Sequence, residues 1–430
     1  MIQTKHLREF SHQSKYLLAV IGLIIGFIFS TAALAQEDTA PLSRVADNAP
    51  SQDAQHIPIT YVKIAQPAQS GIPRYLETAS NSGTAGARIA ITDANITGRF
   101  LGYSYTLNVV DISAASDLAT ELSTPEEGTT EPTEKNSAYP IILLDAPSSE
   151  FTEAMDIIAA RAPESVIINV SNSAPALRQT FCDRPLLHTI PSYEMKTDAL
   201  AQWFRVKRIN AILAIYGSHD HDMLFLDALK TSAKKFKLKI VDTKQWTASF
   251  DLRRAAFSEI PLFTRTDKKY QAVFAADMGN QFAYSLPFNT DRIVPVVGSA
   301  GLKPLGWHFT HEQWGARQLQ NRFLTQFMRS MDETDYAAYS AIIALSTAQQ
   351  QGTPANGRAL YRALLNDSFS LAAYKGRPLS FRANSGQLRQ PIALAHEDAL
   401  VTHAPLPGFL HQTNELDTLG AVNLTCKDLL

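Results

Sequence analysis

The sequence predicts an α/β protein built from doubly wound domains, and three observations carry that prediction. Apolar runs of strand length alternate with amphipathic segments of helix length through most of the chain, the pattern of parallel sheets covered by helices on both faces. Residues 86–112 read as a helix that hands over directly to a strand. The length of 430 residues fits about two domains, on a prior of roughly 100 to 200 residues each.

Taken in order, the chain opens with Lys5, Arg8 and Lys15 ahead of an uncharged apolar run over 16–29. Ala33-Leu34-Ala35 then offers small residues at the positions a signal peptidase reads. Residues 1–35 are therefore expected to be a secretory signal cleaved after Ala35. The apolar run is short for a membrane span of about 20 residues, and no cysteine stands at the cleavage site to carry a lipid. The mature chain is expected to be a soluble periplasmic protein without stable membrane insertion. Residues 36–55, rich in Ala, Asp, Ser and Pro, have no periodicity and read as a disordered leader.

The apolar strand 57–64 begins the first β-α-β unit. In the helix that follows, Ala87, Ala90, Ile91 and Ala94 recur at helical spacing, with Arg88 and Asp93 on the other side. Asn95 and Gly98 are expected to end this helix, and Gly102 to open the strand 103–112. The polar stretch 113–138 reads as a surface insertion with a helix only at its start. Strands are then expected at 141–146, 166–170, 211–217, 239–246, 272–276 and 293–297, and helices at 150–162, 196–208 and 222–237. The tail changes to three successive helices, 314–328, 336–350 and 358–365. Segments 379–382 and 391–395 flank Asn384-Ser385-Gly386 as a hairpin with a glycine-bearing turn.

Composition excludes some functions. The formal net charge of −2 becomes slightly more acidic once the basic signal is removed, and no basic stripe suggests a nucleic-acid or anionic-membrane partner. Only Cys182 and Cys426 are present. In an oxidising compartment they are expected to pair, the alternative being two unrelated buried thiols. Such a bridge closes most of the mature chain and is worth on the order of 4 to 5 kcal/mol, less any strain.

Gly86-Ala87, Ala90, Asn95, Gly98 and Gly102 are similar to the first-unit pattern "GA-x-x-A-x-x-x-x-N-x-x-GG-x-x-G" of the type I periplasmic binding proteins. Branched-chain amino acid receptors carry that pattern, with two glycines where this chain has only Gly98. In the tail, Gly298-Ser299-Ala300-Gly301-Leu302, Trp307-His308, His311-Glu312-Gln313-Trp314-Gly315-Ala316, Asp335-Tyr336-Ala337-Ala338, Lys375-Gly376-Arg377-Pro378, Gln387-Leu388-Arg389-Gln390-Pro391 and Gly408-Phe409-Leu410-His411 follow in order. Together they resemble the subgroup found with pyrroloquinoline quinone-dependent alcohol oxidation systems.

The resemblance covers about His56 to Leu430 and implies two lobes joined by a three-crossover hinge near 190–192, 297–301 and 389–391. The N-terminal lobe would comprise 56–190 plus 298–389, and the C-terminal lobe 191–297 plus 390–430. It further implies a monomer without cofactor that closes on a small ligand and delivers it to an ABC permease in the inner membrane. A periplasmic sensor or adaptor without transport, and an exported enzyme, stay open as alternatives on the same scaffold.

Ligands in open α/β sheets sit beyond the carboxyl ends of strands. That rule selects Ser148 and Ser149, then Ser171, Asn172 and Ser173, then Tyr216 and Ser218, and finally Asp277 with Gln281. The resemblance implies hydroxyls that grip a ligand carboxylate and an acid on the opposite lobe, here Asp277 by position. Plain helix capping explains the serines and Asp277 as well. The alternation Ser218-His219-Asp220-His221-Asp222 could ligate a metal if the loop folded back, or be a solvated loop with a helix cap. His308 to Glu312 lacks the H-E-x-x-H order and reads as an aromatic-rich helix start. No G-x-S-x-G, P-loop or strand-borne G-x-G-x-x-G appears, which leaves catalysis without a candidate constellation.

Overall fold

The computed structural model describes residues 55–66, 76–122, 140–181, 183–247 and 252–421. The expected signal, the leader apart from Gln55, most of the 113–138 insertion and the pair Cys182 and Cys426 lie outside the described residues.

The first sheet contains β1 (Gln55–Ile64), β2 (Tyr103–Ile112), β3 (Ile141–Asp145), β4 (Val166–Asn169) and β5 (Leu186–His188), all parallel in the order β2-β1-β3-β4-β5. Every residue of β3 is buried, which is why it reads as an unbroken apolar run closed by an acid. Alternation along β1 divides the lobe into two cores. Ile57, Ile59 and Tyr61 face the core shared with α1 (Thr84–Leu101), α8 (Ala316–Phe327), α9 (Glu333–Gln351) and α10 (Gly357–Leu365), while Val62 and Ile64 face Phe151, Met155 and Ile158 of α3 (Ser148–Arg161). Short α2 (Leu118–Glu121) and α4 (Leu177–Thr180) flank that second core.

The second sheet contains β6 (Ala211–Tyr216), β7 (Lys239–Gln245), β8 (Ala272–Ala276) and β9 (Val296–Gly298), parallel in the order β7-β6-β8-β9. Helices α5 (Tyr193–Val206) and α6 (Asp220–Lys235) cover one face, and α7 (Leu252–Thr264) packs at the other. An antiparallel sheet of β10 (Lys303–Leu305), β13 (Ile392–His396) and β14 (Ala399–Ala404) shares the α5 core. Membership of the hydrophobic cores changes between Ile190 and Tyr193, between Leu302 and Trp307, and between Leu388 and Ile392.

Several expectations need correction. Helix α1 does not stop at Asn95 or Gly98 but runs to Leu101, where Gly102, at φ 77°, supplies the left-handed cap. Asn95 instead holds β2 to the helix, donating to the Tyr105 carbonyl at 2.9 Å and accepting the Tyr105 N–H at 2.7 Å. Gly98 sits inside the helix because a Cβ there would lie 2.5 Å from the Tyr103 carbonyl. The expected hairpin of 379–382 with 391–395 is also different. β11 (Ser380–Phe381) pairs with β12 (Leu388–Arg389), and the chain after Pro391 leaves to pair with β10 and β14. Pro391 has no N–H to donate, which ends the ladder there. The strand expected at 293–297 begins only at Val296.

The glycine-alanine motif and the Asp335-Tyr336-Ala337-Ala338 motif meet in space. A Cβ on Gly86 would lie 1.9 Å from the Asp335 carbonyl, so α1 and α9 touch backbone to backbone. The Asp335 side chain then accepts Gly83 N–H at 2.8 Å and Gly86 N–H at 3.2 Å, while Arg329 clamps it at 2.5 and 3.0 Å. Gly86→Ala is expected to lower stability by about 2 to 3 kcal/mol through overpacking, and urea unfolding would measure it.

Candidate functional site

The loops after β3 and β4 form one half of the candidate site. Asn172 knits them together: its amide donates to the Ala146 carbonyl at 3.2 Å and to Ser148 Oγ at 3.1 Å, and its side-chain oxygen accepts the Ala174 N–H at 3.0 Å. Asn169, at the end of β4, accepts the N–H groups of Ser171 and Asn172 at 3.3 and 2.9 Å and reaches His188 at 3.0 Å. The Ser173 carbonyl accepts the Tyr193 N–H at 2.9 Å, tying this loop to the start of α5. Ser149 is exposed and Ser148 half-buried at the first turn of α3.

Beneath these loops lies Asp145, which accepts a hydrogen bond from Tyr61 Oη at 2.9 Å. Burial raises its carboxyl above the usual range, against the Tyr61 and Ser171 hydroxyls and the Lys63 charge. The Tyr61 phenol is held well above its ordinary value by burial and by Asp145. Ser171 Oγ is shielded from solvent, close enough to act on Asp145 yet without a hydrogen-bond partner of normal geometry. Its position puts this hydroxyl beside the buried acid and not in the open mouth of the loops.

The loops after β6 and β8 form the other half, and buried carboxylates do there what Asn172 does opposite. Asp222 accepts the His219 N–H at 3.1 Å and the Met278 N–H at 2.6 Å, bridging both loops. A Cβ on Gly217 would meet its Oδ2 at 2.4 Å, so the glycine makes room for this bridge. Burial raises the Asp222 pKa, and the Asp277 charge adds to that. Asp277, 1% exposed, accepts the N–H groups of Gln281, Phe282 and Ala283 at 2.9, 2.7 and 2.7 Å. Its carboxylate thus shapes the loop that presents Gln281. Tyr216 is half-buried at the end of β6, Ser218 is exposed, and Asp222 turns inward from the alternating His-Asp run as the helix cap.

The two halves approach each other. Asn280 donates to the Leu76 carbonyl at 3.4 Å, and Leu224 packs against cores of both sheets. Sequence reasoning passed over Asp145 and Asn169, although an acid closing a fully apolar strand was a readable signal. The His308 to Glu312 segment lies apart: His311 Nε2 bonds the Tyr374 carbonyl at 2.7 Å, and its ring packs on Trp307, Trp314 and His403.

No protein-family model matches the chain, and no curated protein matches it in sequence. Solved structures do. A Desulfitobacterium hafniense ABC transporter substrate-binding protein in complex with Leu is 14% identical, with a TM-score of 0.59 over 81% of this chain and 99% of that one. The leucine-, isoleucine-, valine-, threonine- and alanine-binding protein of Brucella ovis, in a closed conformation, is 12% identical, with a TM-score of 0.60 over 82% and 93%. An R. palustris solute-binding protein in complex with benzoate is 12% identical, with a TM-score of 0.56 over 81% and 96%. The chain has the type I periplasmic binding protein fold. These structural neighbours of the two-lobed fold are binding proteins of ABC transporters. Among the described residues, no helix is long and apolar enough to cross a membrane.

Removing a carboxylate that shapes a loop and removing the Ser171 hydroxyl should differ sharply. Asp277→Ala is expected to cost about 2 to 3 kcal/mol by stranding three N–H groups, whereas Ser171→Ala should stay within about 0.5 kcal/mol. Paired urea denaturation curves would measure both.

Proposed function

We propose that this protein is the periplasmic solute-binding component of an ABC transporter, binding a small polar ligand between two lobes that close about a hinge. The observation that carries the reading is the pairing of two pre-shaped loop clusters at the carboxyl ends of two parallel sheets, one reaching Ser148 at the first turn of α3 through Asn172. Only a closed form touches ligand from both sides, so binding favours closure.

On this reading Ser148, Ser149 and Ser171 contact the ligand from the first lobe, on a loop frame built by Asn172 and Ser173. Tyr216, Ser218 and Gln281 contact it from the second, on a loop held by Asp277. A helix N-terminus with free hydroxyls suits a carboxylate, and the neighbours' ligands, leucine and benzoate, each carry one. The lobes would comprise 56–190 plus 298–389 and 191–297 plus 390–430. Export by a signal cleaved after Ala35, a Cys182–Cys426 bridge, a monomeric state and a permease partner complete the proposal. The tail motifs support a link to a quinoprotein alcohol oxidation system.

Calorimetry on the mature protein with amino acids, aromatic and short-chain carboxylates, and alcohols should reveal saturable binding of a ligand recovered unchanged. Turnover of any of them would replace this reading with an enzyme. For the ligand so found, Ser171→Ala combined with Ser148→Ala should weaken affinity by about tenfold, near 1.4 kcal/mol. Unaltered affinity would move the site elsewhere.

A further inference from the structure

Three segments carry the chain between the cores, and one buried amine stands where two of them pass. Lys375, 3% exposed, donates from Nζ to the Gly306 carbonyl on the segment between Leu302 and Trp307. It also reaches the Pro391 carbonyl, 3.4 Å away, on the segment between Leu388 and Ile392. The remaining faces of the ammonium are aromatic. The ring centroids of Tyr336 and Trp307 lie 4.7 and 5.5 Å from Nζ, and those two rings stack on each other at 4.3 Å.

Glu333 completes the junction and connects it to the first segment. It accepts the Gly306 N–H and takes Lys196 Nζ at 2.7 Å, and Lys196 lies on α5, just past Pro191. Gly306 itself is pressed between partners, since a Cβ there would meet Pro191 at 2.9 Å and Glu333 at 3.0 Å. All three segments therefore converge on the Glu333–Lys375 junction.

We infer that Lys375 is the pin of the hinge, a positioning residue whose ammonium ties the second and third crossovers to the first lobe and thereby sets how freely the lobes swing. This rests on the reading of the crossovers as a hinge.

The chemistry of the amine makes the pin responsive to pH. Burial pushes Lys375 down to about 7, with the Glu333 charge opposing the shift. The other titratable groups that face it are shifted away from this range: burial pushes His403 on β14 down to about 3, and burial lowers His311 against its bond to the Tyr374 carbonyl, each also repelled by Lys375, while burial raises the Tyr336 phenol above its ordinary range. Loss of the proton leaves a neutral amine that keeps a bond to a carbonyl but forfeits its cation–π contacts and its attraction to Glu333. The sign for stability follows. The folded value lies below the ordinary 10.5, so this group's contribution rises with pH between about 7 and 10.5 and is lost as pH falls toward 7.

Small-angle X-ray scattering on the ligand-free mature protein tests the inference, across about pH 5.5 to 8.5 to bracket the amine. The distribution of molecular dimensions should broaden as pH rises, with a midpoint near the amine's value of about 7. Lys375→Met, which keeps the stem and removes the charge, should lie at the high-pH limit throughout. Glu333→Gln should move the wild-type midpoint to lower pH. A pH-independent wild type, or a Lys375→Met protein that keeps the wild-type profile, would overturn the inference. If Lys375→Met fails to fold, the wild-type profile and the Glu333→Gln shift decide alone. No ligand is present, so a failure here leaves the binding reading intact, and a failure to find a ligand leaves this result intact.

Discussion

The first turn of α9 is the contact on which the first lobe and its connections depend. Within that turn, Asp332 caps the helix through the Asp335 N–H at 2.8 Å and receives the Ser82 hydroxyl at 2.7 Å. Burial and the neighbouring Asp335 push Asp332 up to about 6, so two acids share the space and Arg329 is the cation that makes the arrangement tolerable. Asp335 then caps α1, Glu333 holds the crossovers, and Tyr336 stacks on Trp307. Four of five successive side chains, Asp332, Glu333, Asp335 and Tyr336, thus serve the helix pair and the junction at once.

Both halves of the candidate site solve one problem. Loops at the ends of parallel strands leave backbone N–H groups without sheet or helix partners. The first half satisfies them with the amides of Asn169 and Asn172, the second with the carboxylates of Asp222 and Asp277. Loops held in this way are already ordered before a ligand arrives, and association then loses less conformational entropy. The difference in chemistry also matters: the second half uses two buried acidic side chains that accept N–H groups, while the first uses neutral amides above the buried Asp145.

The parallel sheets were legible because both faces are covered. Ile141–Asp145 and Ala272–Ala276 are wholly buried, and unbroken apolar runs of that length have few other readings. Helix α7 escaped notice because Pro261 lies within it and Phe257 is 86% exposed, which blurs its period. β5 and β10 are three residues long, too short for a period to register. Gly98 misled for a different reason: a glycine demanded by a close approach looks the same in one dimension as a glycine that stops a helix. At the site, position relative to strand ends was readable. Whether an Asp such as Asp277 faces a ligand or its own backbone was not, because that depends on loop geometry that pairs residues four to six apart.

The cap on α1 bears on the order of folding. Gly83 and Gly86 must wait for a carboxylate that lies 252 and 249 residues further along the chain. Contacts that close such long loops are slow to form, since the chain entropy is lost before the contact compensates for it. The first-made half of the molecule consequently stays without its partner helix until the chain as far as Gln351 is available. For the export proposed above this delay would be an advantage, because a polypeptide threaded through a membrane must remain unfolded until it has crossed.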